Sequence, residues 1–207
     1  MTLLYHITDL DNLPGILGTG GLRCKYSLQQ GGTAHVDIAY GHIQDRRAQT
    51  PVPCGPGGSL HEYVPFYFSP RSPMLFAIAR GYVPGYSGTQ YKILHLVTAV
   101  EDVVAESLQF VFSDGHAVMA MSDFFTDVSE LSRIDWPLMS ARYWHDTDED
   151  GDRKRRRQAE FLIHLFVPWR LVQTIGVMNE PVARRVKTTL AGNGHRPVVS
   201  VKREWYY

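Results

Sequence analysis

The chain has 207 residues, 44% of them apolar and 20% charged. Size scaling buries about 70% of the surface of a chain this long, so a self-supporting core is expected, and disorder, collagen and coiled coil are excluded. Its 21 basic and 21 acidic residues cancel, which excludes nucleic-acid binding by net charge and leaves only a local patch for it.

In chain order, Thr8 or Asp9 is expected to cap a first helix through Ile16 and Leu17, ended by Gly18, Gly20 and Gly21. A second helix is predicted over 33–48, closed by Pro51, Pro53 and the glycine-rich turn at 55–58. Val64-Pro65-Phe66-Tyr67-Phe68 reads as a buried strand. Ser72 then caps a short helix with Pro73 at its first position. Strands follow over 91–98 and 109–113. From 114 to 157 the pattern loosens into short apolar clusters between Asp, Ser and Arg, and a loop of this length tends to carry function. A strand over 160–167, another over 171–178, an amphipathic helix over 180–190 and a last strand over 197–201 complete the chain. Helices gathered early among several strands suggest an α+β domain, with no regular parallel alternation.

No apolar run reaches the roughly 18 residues of a membrane span, and the N-terminus lacks a signal-peptide pattern. Cys24 and Cys54 are too few for a disulfide framework and lack the close pairing of a zinc site, so reduced thiols, a cytoplasmic location and no metal are expected.

Four features can carry chemistry. His6 sits before a helix, where its ring can donate to a ribose or a carboxamide, or simply pack at a junction. Tyr40, Gln44 and Arg47 share a helical face beside the ridge of His42 and Arg46. An arginine there can hold a pyrophosphate with its planar fork, or it can be solvated. The basic run 153–157, downstream of Tyr143 and Trp144, suits single-stranded nucleic acid, or is neutralised by the acids at 148–152. Glu160, opening an apolar strand, can act as a general base, hold a sugar hydroxyl, or be merely exposed.

The order of these signals is more telling than any one of them. Tyr5-His6-Ile7-Thr8, Asn12-Leu13, Gly15-Ile16-Leu17 and Gly21-Leu22 are followed by Ile38-Ala39-Tyr40 and Ile43-Gln44-Asp45-Arg46-Arg47. Val64-Pro65-Phe66-Tyr67-Phe68, Arg71-Ser72-Pro73-Met74-Leu75, Gln158-Ala159-Glu160-Phe161-Leu162 and Trp205-Tyr206-Tyr207 complete the series. Over nearly the whole chain this resembles the thymidine-modifying branch of the DarT toxins, which ADP-ribosylate DNA.

The resemblance implies an ADP-ribosyltransferase fold: one α+β domain over 1–207 with a split, bent sheet, NAD in the cleft as the consumed donor, and 114–159 as the substrate-recognition loop. It implies Glu160 as the catalytic carboxylate, binding the nicotinamide-ribose 2′-hydroxyl and taking the thymine N3 proton. A catalytic arginine is implied at Arg46 or Arg47, with Arg46 preferred. His6, Ile7, Thr8, Asn12, Gly15, Leu22, Tyr67, Met74 and Leu75 are expected around NAD. Arg142, Tyr143, Trp144, Arg153 and Lys154 are expected on single-stranded DNA. The implied partner is a macrodomain antitoxin of DarG type, and a monomer is expected. Guanine, RNA, protein or water as acceptor, and a binding module without catalysis, are the alternatives.

Overall fold

In the computed structural model, which describes residues 1–32 and 34–207, strand β1 (Leu3–Asp9) opens the chain. Asp9 ends it by accepting from the Asp11 amide, and a 3-10 turn then leads into helix α1 (Leu13–Gly18) with Pro14 in its first turn. After the short strand β2 (Gly21–Arg23), the Cys24 sulfur accepts from the Ser27 amide and caps α2 (Lys25–Gln30).

The helix predicted over 33–48 is corrected. Thr33 lies outside the described residues, 34–40 has no regular structure, and α3 spans only Gly41–Gln49. The cause is competition for backbone bonds from a distant side chain. The Asn12 amide donates to Val36 O at 2.9 Å and accepts from Val36 N at 2.7 Å, taking both groups a helix would use.

Strand β3 (Tyr63–Tyr67) contains Pro65. Helix α4 (Pro73–Ala79) starts as the sequence predicts, with the Ser72 hydroxyl accepting from the Leu75 amide. Strand β4 (Ile93–Ala99) is buried along its whole length, and helix α5 (Val100–Ala105) leads to β5 (Phe110–Ser113). The loose stretch 114–159 is more structured than expected: β6 (Phe124–Phe125), a 3-10 turn, α6 (Trp136–Ser140) and α7 (Arg153–Arg156) lie inside it.

The strand predicted over 160–167 is cut in two by Leu165, whose φ is 60°. Strand β7 (Glu160–His164) stays in the main sheet, while β8 (Phe166–Pro168) pairs with β2 in a separate ribbon. The next strand, β9 (Thr174–Val177), starts later than predicted because Trp169–Leu171 forms a 3-10 turn. Helix α8 (Glu180–Leu190) matches the sequence reading, and β10 (Val198–Val201) runs parallel to β9.

The main sheet has the order β10-β9-β4-β1-β3-β7-β5-β6. It is nearly split at its middle, since β1 and β3 meet in register only at Tyr5↔Tyr67. Pro65 explains the gap. It has no N–H to donate, and its carbonyl is taken by the His6 ring at 2.8 Å. The larger core packs Leu4, Phe66 and Phe161 with Val182, Val186 and Leu190 of α8. A second cluster joins Ile7, Leu75 and Ile78 to Tyr206. No helix among the described residues is long and apolar enough to cross a membrane.

Candidate active site

Beside the split lies a cleft of about 650 Å³, within the usual range of small-molecule sites. The β3–β7 register sets Tyr67 directly opposite Glu160, so the two side chains share one face of the sheet. Both line the cleft.

Glu160 is buried and heavily engaged. Its Oε2 accepts from Arg47 Nη1 at 2.7 Å. Its Oε1 accepts from His116 Nδ1 at 3.3 Å and from the Ala117 amide at 3.2 Å. Burial alone would raise its pKa, but the Arg47 charge and the His116 hydrogen bond outweigh that and hold it at about 2. Three of roughly four acceptor positions on the carboxylate are filled, leaving about one for a hydroxyl donor. Burial, helped by the Glu160 charge, pushes the Tyr67 phenol above its ordinary value, so it stays neutral.

Of the two candidate arginines, the geometry brings Arg47 to the carboxylate. Arg46 points elsewhere and donates to the Val118 carbonyl at 2.9 Å. Neighbours on a helix diverge by about 100°, so only one of them can face the sheet. Arg47 is buried, lines the cleft, and keeps a second terminal nitrogen, Nη2, buried without a partner. It therefore has one donor unspent. Tyr40, His42 and Gln44 of the same stretch also line the cleft, and Gln44 is braced by His61 at 3.1 Å.

His116 escaped the sequence reading. It lies in the loop after β5, borders the cleft and touches the carboxylate. Its only signal was a Gly-His pair just past a strand, in a stretch without periodicity. Because an ionised carboxylate only accepts, His116 Nδ1 carries the proton.

Most of the residues expected around the donor border the same cleft. His6, Ile7, Thr8, Asn12, Gly15, Leu22 and Met74 line it. Pro65 O accepts the His6 Nδ1 proton, so the free ring nitrogen is an acceptor where the sequence reading expected a donor. Burial lowers the His6 pKa, which keeps the ring neutral. A Cβ on Gly15 would meet nothing within 4 Å, so packing does not require the glycine. Leu75 is a correction: on the inner side of α4 it is fully buried in the second core cluster, while its neighbour Met74 lines the cleft.

The acceptor-side candidates divide. Trp144 is buried at the cleft wall, donating to the Tyr207 hydroxyl at 3.1 Å, and Lys154 also borders the cleft. Tyr143 is 73% exposed, beneath the Arg142 guanidinium. Arg153 is spent on the carbonyls of Tyr143 and His145. The basic run is largely neutralised, in part by the acids at 148–152 as the sequence suggests. Arg155 binds Asp114 and Asp152, Arg156 binds Asp135 and Asp150, and Arg157 is buried.

Comparison with known proteins gives the family. The family described as "DarT: ssDNA thymidine ADP-ribosyltransferase" matches residues 5–207. A DNA ADP-ribosyl transferase of Thermus aquaticus is 46% identical over 208 residues, covering 100% of this chain and 89% of that protein. A Thermosipho africanus DNA ADP-ribosyl transferase–DNA ADP-ribosyl glycohydrolase fusion protein is 27% identical over 198 residues, covering 95% of this chain and 47% of its own. The solved Thermus sp. 2.9 DarT in complex with ADP-ribosylated ssDNA superposes with a TM-score of 0.93 at 43% identity, covering 100% of this chain and 96% of that one. The same protein in complex with NAD+ gives 0.89 at 40% identity, covering 100% and 98%.

Proposed function

This chain belongs to the DarT family of single-stranded-DNA thymidine ADP-ribosyltransferases, and from that membership we propose how its residues divide the work. NAD supplies an ADP-ribosyl group whose bond to nicotinamide breaks at ribose C1′, with positive charge developing on the sugar. Glu160 faces that charge. The observation that carries this reading is a buried carboxylate, clamped by Arg47 and His116, with about one acceptor position left for the ribose 2′-hydroxyl.

At a pKa of about 2, Glu160 is fully ionised at neutral pH and a weak base toward free thymine. It takes the N3 proton late, once one of its present hydrogen-bond partners gives way. Once N3 bonds to C1′, the nitrogen turns positive and its proton becomes strongly acidic. Arg47, through its unspent Nη2, holds an anionic or carbonyl group of the bound molecules. His6 accepts from the adenosine-side ribose through its free nitrogen, and Tyr67 and Met74 wall the nicotinamide. Ile7, Thr8, Asn12, Gly15 and Leu22 complete the donor side. Trp144 and Lys154 meet the acceptor strand.

The same proposal takes 1–207 as one unit in which 114–159 reads the acceptor. It also makes the protein a cytoplasmic, monomeric toxin that works without metal. No group of three or more His, Cys, Asp or Glu among the described residues is placed to hold an ion. Its counterpart is a macrodomain glycohydrolase of DarG type that removes the mark. The Thermosipho relative, whose name joins the two activities in one chain, supports that pairing.

The test is Glu160→Gln, which keeps the shape and removes the charge. Nicotinamide release and adduct mass on thymine-containing single strands should fall at least about 10²–10⁴-fold, with DNA affinity nearly unchanged. A variant that retains turnover overturns the assignment. An adduct on thymine-free, guanine-containing strands would move the acceptor.

A further inference from the structure

Behind the wall of the cleft lies a second hollow, lined by Arg71, Arg142 and Arg157 among apolar groups such as Phe68 and Trp136. Arg157 is only 3% exposed. Its terminal nitrogens donate to the carbonyls of Leu138, Met139 and Arg71 and to the Ser69 hydroxyl, yet its Nε is buried with no partner. Arg71 repeats the pattern: its Nε is also buried and unpartnered, and its guanidinium lies 5.5 Å from the centre of the Tyr207 ring. Arg142 stands exposed beside them.

None of these three forms an ion pair with a carboxylate among the described residues, whereas Arg155, Arg156, Arg170 and Arg185 each do. The one acid lining the hollow, Glu204, faces Lys202 at 3.8 Å. Arg157 is thus a fixed positive charge behind the hollow with no anion to balance it, which is costly, while the half-buried Arg71 and the exposed Arg142 keep terminal N–H groups whose fork matches phosphate oxygens.

The hollow is joined to the cleft by short stretches of chain. Arg142 lines the hollow while Trp144, two residues on, lines the cleft. Arg71 leads to Met74, and Arg157 to Glu160, each in three residues. The Tyr207 hydroxyl spans the wall, accepting from Trp144 and donating to Arg71 O at 3.2 Å.

We propose that this hollow is a phosphate subsite that holds one backbone phosphodiester of the acceptor strand beside the base entering the cleft. It rests on the reading of DNA as acceptor.

The test uses the full chain and short thymine-containing single strands in which one phosphate at a time is replaced by a neutral methylphosphonate. Affinity is read by fluorescence anisotropy without NAD, and KM for DNA and for NAD by adduct mass. The paired variant is Arg71→Gln with Arg142→Gln, since Arg157 also ties α6 to the turn at 69–71. In the wild type, one methylphosphonate position should weaken binding and raise KM for DNA about tenfold, with KM for NAD unmoved. In the variant that position should no longer matter, and the salt dependence should fall by a slope of about 0.7 for the lost contact. The proposal is overturned if the variant keeps wild-type affinity and salt slope. It is also overturned if inorganic phosphate competes with DNA at the hollow while no single position matters, the signature of a free-anion pocket. Anisotropy is independent of turnover, so failure of the subsite and failure of the transferase reading give different results.

Discussion

Replacing Arg47 by Met keeps most of the apolar stem and removes the charge that faces Glu160 at 2.7 Å. The two side chains are 9% and 3% exposed, so water does not take the place of the guanidinium. Breaking one partner of a buried pair costs about 3–5 kcal/mol, because the remaining charge is uncompensated. The Glu160 pKa reflects the net of burial, Arg47 and His116 together. The gap between the ordinary 4.5 and the held value of about 2 corresponds to about 3 kcal/mol. Because the folded pKa is depressed, this stabilisation is complete above pH about 4.5 and is lost as pH falls through about 2.

In Arg47→Met, burial is opposed only by the His116 and Ala117 bonds, and the folded pKa rises. If it passes the unfolded value, the sign reverses, and the carboxyl stabilises most at low pH and loses that contribution as pH rises. The stability difference between the two proteins should therefore be widest near neutral pH and close toward pH about 3. Urea melts across that range measure it, with the acid limb of nicotinamide release as a second readout that should move upward in the variant. A difference of constant size at every pH would refute the claim that Arg47 acts through the carboxylate charge. A difference below about 1 kcal/mol at neutral pH would refute the burial argument itself.

Arg46→Ala should be mild. It removes one hydrogen bond to Val118 O, worth about 0.5–1.5 kcal/mol, and turnover should stay within about threefold of wild type. A loss as deep as that of Arg47→Met would return the catalytic assignment to Arg46. Chelation should change nothing: after dialysis against EDTA the rate should equal that of the untreated enzyme, and a loss restored by a single divalent ion would contradict the metal-free reading.

What the sequence made legible followed from local chemistry. Ser72 before Pro73 announced α4, and Glu180–Leu190 carried its amphipathic period openly. Glu160 stood out as an acid at the head of an apolar strand. What stayed hidden depended on distant docking. Arg46 and Arg47 are adjacent, and the choice between them is made by how α3 settles near the turn at Leu60–Glu62, above a carboxylate 113 positions later. The same holds for Met74 and Leu75, one turned to the cleft and the other to the core. The pairing of the 153–157 run with Asp150 and Asp152 was legible, whereas its other partners, Asp114 and the carbonyls of Leu138 and Met139, lie far away in sequence. His116 had no periodic frame to be read against, and the helix predicted over 33–48 failed because one remote side chain, Asn12, claims the backbone of Val36.

The turn at Leu165 gives the chain a ruler. Before it, β7 fixes Glu160 in the main sheet; after it, Val167 pairs with Leu22 in the ribbon. The turn is pinned on both sides, its amide donating to Glu62 O and its carbonyl accepting from the Cys24 amide. The spacing between Glu160 and Leu22, both of which line the cleft, is thus set by one uninterrupted covalent segment rather than by two independently packed parts. An insertion of one residue at the turn would put the two ends out of step while leaving every side chain at either end intact.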